Sequence, residues 1–212
     1  RHRPLAPDLR GHGAAAARRP IDMDACVSDV SGLAAGRFAL AGYSMGGRLA
    51  LHVALAHPGR VSRLVLVSAT AGIEDPAERE RRRAADEALA AWMQARLMTE
   101  VADRWAAQPL FAGQPPQVAA AARADRLGNE PRHLAAALRG IGTGSMQPLW
   151  ARLGELEMDV AVLAGERDEK FVALGRRLAE ALPRGELTIV PGAGHALPLE
   201  APAAVAAAIE AG

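Results

Sequence analysis

Phe38-Ala39-Leu40-Ala41-Gly42-Tyr43-Ser44-Met45-Gly46-Gly47-Arg48-Leu49-Ala50-Leu51 is the stretch on which the reading of this chain turns. The apolar residues up to Ala41 predict a short strand over Arg37–Ala41, and Gly47–Ala56 has a helix-like pattern. Between them lies Gly42-x-Ser44-x-Gly46. A serine between two glycines at a strand-to-helix turn is the setting of a nucleophile elbow. The glycines let the backbone bend sharply enough to hold the hydroxyl clear of the sheet. Ser44 is the candidate reactive residue, and the backbone N–H of Met45 would supply one oxyanion donor. Alone, the pattern is weak in a chain with 21 glycines; the flanking strand and helix give it weight.

Such a serine needs a base behind it and an acid behind the base, and the sequence supplies both further on. Asp168 stands beyond the strand-like run Val160–Ala164, and His195 ends Pro191-Gly192-Ala193-Gly194-His195 after the strand-like Leu187–Val190. Serine, aspartate, histidine in that chain order is the α/β-hydrolase arrangement, distinct from the chymotrypsin and subtilisin orders. Each residue has a plainer alternative. Gly165-Glu166-Arg167-Asp168 is turn-like in composition, and Glu166 is close enough to compete as the acid. Asp168 is preferred because it lies further beyond the strand, where a loop residue can reach the histidine. His195 could be a surface loop residue, yet glycines on both sides of Ala193 suit a loop that places its histidine closely.

Composition narrows the classes. At 212 residues the chain can bury a sizeable core, and one domain with an insertion is the natural expectation. Half the residues are apolar but only 3% are aromatic, so abundant alanine predicts helix-rich packing of small side chains. A net charge of +1 argues against nucleic acid as a partner, which needs a concentrated basic face. Basic residues cluster only at Arg79–Arg83, beside and among Glu78 and Glu80. The single cysteine, Cys26, excludes an internal disulfide and favours a reducing, cytoplasmic compartment. No run approaches the ~18 consecutive apolar residues of a membrane helix, so no membrane insertion is expected, and the start is not signal-like.

Strand and helix signals alternate at both ends and stop in the middle. Leu5–Leu9 is a short strand candidate, Met23–Leu33 a helix, and Arg63–Ser68 a strongly apolar strand. From Glu74 to about Trp150 the chain reads as helical and charged, broken at Pro109, Pro115-Pro116, Pro131 and Gly140–Gly144. From Asp159 the alternation resumes with a strand, helix Val172–Leu182, strand Glu186–Val190 and helix Pro202–Ile209. Continuous apolar strands separated by helices imply a mostly parallel sheet covered on both faces. The expected architecture is therefore α/β, an α/β-hydrolase fold with residues 1–73 and 151–212 as core and 74–150 as a helical cap insertion.

Several other residues attract a reading. Arg48 lies four residues after Ser44, on the same helix face, so its guanidinium would sit near the reacting centre or lie along the surface. Arg82, Asp86, Leu89 and Met93 share one helical stripe, and Asp86 could orient Arg82 through an i,i+4 pair; a solvated ion pair is the plainer reading. Trp105 and Arg126 could be a cap-core aromatic and an exposed helix end. His12, between Gly11 and Gly13, precedes the serine and is given a structural role. Gly140-Ile141-Gly142-Thr143-Gly144 lacks a preceding strand and a lysine, so it reads as a hinge rather than a phosphate loop. No histidine or cysteine pair has metal-ligand spacing.

With these residues in place, the chain resembles the α/β-hydrolase-fold 2-succinyl-6-hydroxy-2,4-cyclohexadiene-1-carboxylate (SHCHC) synthases of menaquinone (vitamin K2) biosynthesis. The resemblance rests on Asp8–Gly13, Gly42–Leu51, Ser68–Ile73, Ala164–Phe171 and Pro191–His195. In the cap it rests on Arg82 with Asp86, Trp105 with Pro109-Leu110-Phe111, Arg126-Leu127 with Asn129 and Pro131, and Gly142-Thr143-Gly144 with Gln147 and Leu149-Trp150. It implies a lyase that eliminates pyruvate from an enolpyruvyl cyclohexene carboxylate with no cofactor. It also implies a small-molecule polycarboxylate partner held by Arg48, Arg82 and Arg126, with Tyr43 and Trp105 shaping the pocket. Ser44, activated by His195 and Asp168, would remove the ring proton. Oligomeric state is left open.

The family also carries strands and a His-Gly loop ahead of the first residues seen here, the loop giving a second oxyanion donor. The expectation is an amino-terminally incomplete sequence of a competent enzyme, or a degenerate copy. Two other functions compete: a carboxylesterase or C–C-bond hydrolase acting on an anionic substrate, and an inactive hydrolase-like binding protein.

Overall fold

The computed structural model describes residues 3–211, which divide into two compact units. The first combines Val27–Gly72 with residues 3–5 and 148–211 and is built on four strands: β1 (Phe38–Tyr43), β2 (Val61–Val67), β3 (Asp159–Gly165) and β4 (Gly185–Val190). They lie in the order β1-β2-β3-β4 and every pairing is parallel. Parallel strands buried on both faces should read as continuous apolar runs, and the end of β2 does: Leu64, Val65, Leu66 and Val67 are all buried.

Side chains alternate across the sheet, and each face has its own cover. Val65, Val67 and Leu163 pack with Ala204, Val205, Ala208 and Ile209 of helix α9 (Pro202–Glu210). On the other face lies helix α7 (Glu169–Ala181), where a Cβ on Gly175 would stand 3.5 Å from Val162 and 3.8 Å from Ala164. Helix α2 (Met45–Ala56) leads from β1 back to β2, and helix α1 (Met23–Ser31) precedes β1. The strands are held in register near their ends: Tyr43 pairs with Val67, Val67 with Leu163, and Leu163 with Thr188. Their carboxyl ends therefore finish together, where ligands bind in open α/β sheets.

The second unit contains Ala6–Cys26 and Ile73–Gln147. Its helices are α3 (Pro76–Gln94), α4 (Met98–Ala106), α5 (Pro116–Leu127) and α6 (Pro131–Ile141). Helix α3 starts where Asp75 accepts the Glu78 N–H at 2.6 Å, with Pro76 at the first helical position. Ala90, Met93, Val101 and Ala135 form its small core, flanked by Trp92, Leu134 and Leu138.

Two expectations change. Leu5–Leu9 is not a strand. Pro4 and Pro7 have no N–H for a ladder, and the Asp8 carboxylate accepts the Ala14 N–H at 2.8 Å, which draws the chain into a turn. Residues Ala6–Cys26 also group with the helices rather than with the sheet. Gly13 N–H donates to Asn129 Oδ1 at 3.2 Å, and Gly140 has no side chain where the backbone carbonyl of Ile21 comes against it.

Candidate active site

Ser44 is the residue between β1 and α2. Its N–H still belongs to the sheet, donating to the Val67 carbonyl at 2.8 Å, while its own carbonyl accepts the Arg48 N–H at 3.1 Å and starts the helix. Serving both elements within one residue forces φ 49°, ψ −107°, a region costly for a residue with a Cβ. A Cβ on Gly42 would strike the Gly46 carbonyl, and one on Gly47 would stand 2.5 Å from the Ala69 Cβ. Gly46 has nothing within 4 Å of that position. The tight turn thus depends on Gly42 and Gly47, not on the Gly42–Gly46 pair that the motif suggests.

His195 Nε2 lies 3.2 Å from Ser44 Oγ, and its Nδ1 lies 2.7 Å from Asp168 Oδ2. A carboxylate only accepts, so Nδ1 carries the proton and Nε2 is left to accept from the serine hydroxyl. His195 is 1% exposed and Asp168 7%, so solvent competes little for either bond. The imidazole packs against the rings of Tyr43, 5.4 Å away, and Phe171, 4.6 Å away, both tilted to it. Asp168 also caps α7, its Oδ1 accepting the Phe171 N–H at 3.4 Å, so helix start and acid are one residue. This is why α7 begins at Glu169 rather than at Val172. Glu166, the competing acid, is occupied elsewhere: it accepts the Gly192 N–H at 2.8 Å.

Met45 opens α2, and the first N–H groups of a helix have no partner within it, which leaves Met45 suited to an oxyanion. Arg48 is 7% exposed, which rules out the reading of a surface arginine.

The remaining predicted residues lie in the helical unit. Arg82 on α3 donates from Nε to Asp86 Oδ1 at 2.8 Å, with Arg82 partly exposed and Asp86 buried. Asp86 Oδ2 accepts the Gly144 N–H at 3.2 Å, so the glycine-rich segment after α6 is anchored on the carboxylate that orients Arg82. Arg126, in the last turn of α5, lies over the Phe111 ring at 5.1 Å. Trp105 on α4 is half-buried. Among the described residues no group of three or more histidine, cysteine and acidic side chains could hold a metal ion, and no helix is long and apolar enough to cross a membrane.

Sequence reasoning gave Phe171, Ser68 and Arg167 no role of their own at the histidine site, and it did not single out Glu200. Ser68 comes directly after β2 at φ 46°, is buried, and directs its hydroxyl at the His195 carbonyl, 3.2 Å away. A polar residue closing an apolar strand was the only local signal.

The alpha/beta hydrolase family model matches residues 1–208. An Escherichia coli O1:K1 protein named 2-succinyl-6-hydroxy-2,4-cyclohexadiene-1-carboxylate synthase is 32% identical over 97% of this chain and 81% of its own length. A Bacillus subtilis (strain 168) protein, provisionally named for the same synthase, is 40% identical over 77% of this chain; the match spans 61% of that relative. The structure of MenH from S. aureus superposes with a TM-score of 0.86 at 32% identity, over 93% of this chain and 77% of that one. The chain belongs to the alpha/beta hydrolase family and, within it, to the SHCHC synthases.

Proposed function

We propose that the protein eliminates pyruvate from 2-succinyl-5-enolpyruvyl-6-hydroxy-3-cyclohexene-1-carboxylate to give SHCHC, a carbon–oxygen lyase step in menaquinone biosynthesis. The observation that carries this reading is the relay Asp168–His195–Ser44, with contacts of 2.7 and 3.2 Å. It is supported by similarity, over 97% of this chain and 81% of the relative, to a protein that bears the synthase name. His195 Nε2 takes the hydroxyl proton of Ser44 while Oγ takes a ring proton of the substrate. The electron pair left on carbon forms the new ring double bond, the ring C–O bond breaks, and the enolate of pyruvate departs and is protonated. Asp168 holds the imidazole tautomer and offsets the charge that develops on it. A serine in this state is equally able to attack a carbonyl, so the substrate decides the reaction.

The substrate carries three carboxylates. Guanidinium groups bind carboxylates through two parallel hydrogen bonds, and Arg48, Arg82 and Arg126 are assigned that role, with Tyr43 and Trp105 as apolar walls and the Met45 N–H as an oxyanion donor. The helical segment 74–150 is assigned the role of a cap on the α/β core.

The decisive measurement is pyruvate release from the enolpyruvyl substrate, monitored by coupled reduction of pyruvate. Ser44→Ala should lower turnover by roughly 10²–10⁴-fold, and alanine at Arg48, Arg82 or Arg126 should raise KM for this substrate while sparing hydrolysis of a neutral p-nitrophenyl ester. Ester hydrolysis with no pyruvate release would instead identify a carboxylesterase, and full turnover by Ser44→Ala would remove the serine mechanism.

A further inference from the structure

Glu200, the last residue of the short helix α8 (Leu197–Glu200), has a side chain only 2% exposed. Its carboxylate is fully engaged. Oε2 accepts the Gly194 N–H at 2.8 Å and Arg167 Nη2 at 2.7 Å, while Oε1 accepts the Ala196 N–H at 3.1 Å. The two amides are those on either side of His195. A side chain on Gly194 would begin 3.0 Å from Oε1, so the absence of one lets the carboxylate close on the peptide. Arg167 directly precedes Asp168, and its own N–H donates to the Ala193 carbonyl at 2.9 Å. One buried carboxylate therefore ties the loop that carries the acid to the loop that carries the base. Ser68 Oγ adds a further hold, donating to the His195 carbonyl at 3.2 Å.

Burying a charge is unfavourable unless it is paired and hydrogen-bonded, and a loop end needs no carboxylate for closure alone. The hydrogen bonds here converge on the backbone of one residue whose side chain must meet Ser44 at a defined distance. We propose that Glu200, together with Arg167, is a positioning residue for His195. By fixing the peptides at 194 and 196 relative to Asp168, it sets the reach of Nε2 to Ser44 Oγ. The 3.2 Å contact is already at the long end for such a bond, and a displacement of about 1 Å at a reacting centre costs on the order of 10²-fold in rate. This inference rests on the serine-relay reading above but not on which substrate the relay serves.

The test uses a readout independent of substrate: the rate at which a fluorophosphonate labels Ser44 in the full chain, forming an Oγ–P bond with release of fluoride, measured by mass spectrometry. It is paired with kcat and KM for pyruvate release, measured at temperatures where circular dichroism shows each variant folded. Glu200→Ala should lower labelling rate and kcat together by roughly 10–100-fold with KM within about threefold. Glu200→Gln, which keeps one acceptor, should recover part of the loss. Arg167→Ala should lie between Glu200→Gln and wild type. A role in folding alone would lower the melting temperature and leave labelling per folded molecule at the wild-type rate, and that result overturns the proposal. If Glu200→Ala does not fold, wild-type labelling and kcat in both Glu200→Gln and Arg167→Ala overturn it equally. An unlabelled wild type with a fully active Ser44→Ala would overturn the relay reading and this inference with it. An inactive Ser44→Ala beside unimpaired Glu200 variants overturns this inference alone.

Discussion

Glu166 and Asp168 stand two residues apart after β3 and serve different partners: Asp168 reaches Nδ1 of His195 at 2.7 Å, while Glu166 reaches the N–H of Gly192 at 2.8 Å. One carboxylate orients the imidazole and the other fastens the loop that carries it. Asp168→Asn should lower kcat by roughly 10²–10⁴-fold, because an amide at that position no longer enforces the Nδ1–H tautomer. Glu166→Gln keeps an acceptor for Gly192 and should leave kcat within about threefold of wild type. Equal losses in the two variants, measured by steady-state kinetics, would remove the distinction.

The two glycines of the serine motif should respond differently to alanine. A methyl group on Gly42 meets the Gly46 carbonyl, so Gly42→Ala should destabilise the fold by roughly 1–3 kcal/mol or more through overpacking. At Gly46 nothing lies within 4 Å, and alanine favours the helix that begins at Met45. Gly46→Ala should therefore be neutral or stabilising by up to about 1 kcal/mol. Thermal denaturation of the two variants side by side is the check.

Asp86 has two duties, and its variants should separate them. Asp86→Ala leaves the Gly144 N–H without its acceptor and the Arg82 guanidinium without its anchor. Loss of a buried acceptor costs about 1–3 kcal/mol, so the melting temperature should fall. Asp86→Asn retains an acceptor and should lose less stability. Both should raise KM for a polycarboxylate substrate, because a wandering guanidinium binds a carboxylate less well. A KM unchanged in both would separate Arg82 from substrate binding.

Stability should fall in mild acid through His12. Burial holds its pKa below the ordinary 6.5, against the opposing pull of the Arg10 and Leu9 carbonyls and the Asp8 and Asp125 charges. The unfolded chain then binds the proton more readily than the folded one. The contribution is complete above the unfolded value and is lost as pH falls from there toward the folded value. Comparing melting temperatures between about pH 7.5 and about pH 5.5, His12→Gln should show a smaller drop than wild type. An identical drop would assign the acid sensitivity to other groups.

The sequence by itself determined the α/β-hydrolase class and the positions of four strands to within a few residues, and it singled out Ser44, Asp168 and His195, in that order, as the candidate relay. Those features are local: an apolar run, a glycine-flanked turn and an order along the chain need only neighbouring residues to be read. It could not separate Asp168 from Glu166 by more than a preference, since both occupy the same loop and only the position of His195, 27 residues after Asp168, selects between them. It assigned the sharp turn to Gly42 and Gly46, whereas the close approach is of Gly42 to the backbone at Gly46 and of Gly47 to Ala69. It read Leu5–Leu9 as a strand because apolar residues look alike in a strand and in a pinned turn. It passed over Glu200, whose partners Arg167, Gly194 and Ala196 meet only once β3 and β4 lie side by side. Side-chain chemistry is written residue by residue, but which donor faces which acceptor is decided by sheet register and loop closure, and these exist only in the folded chain.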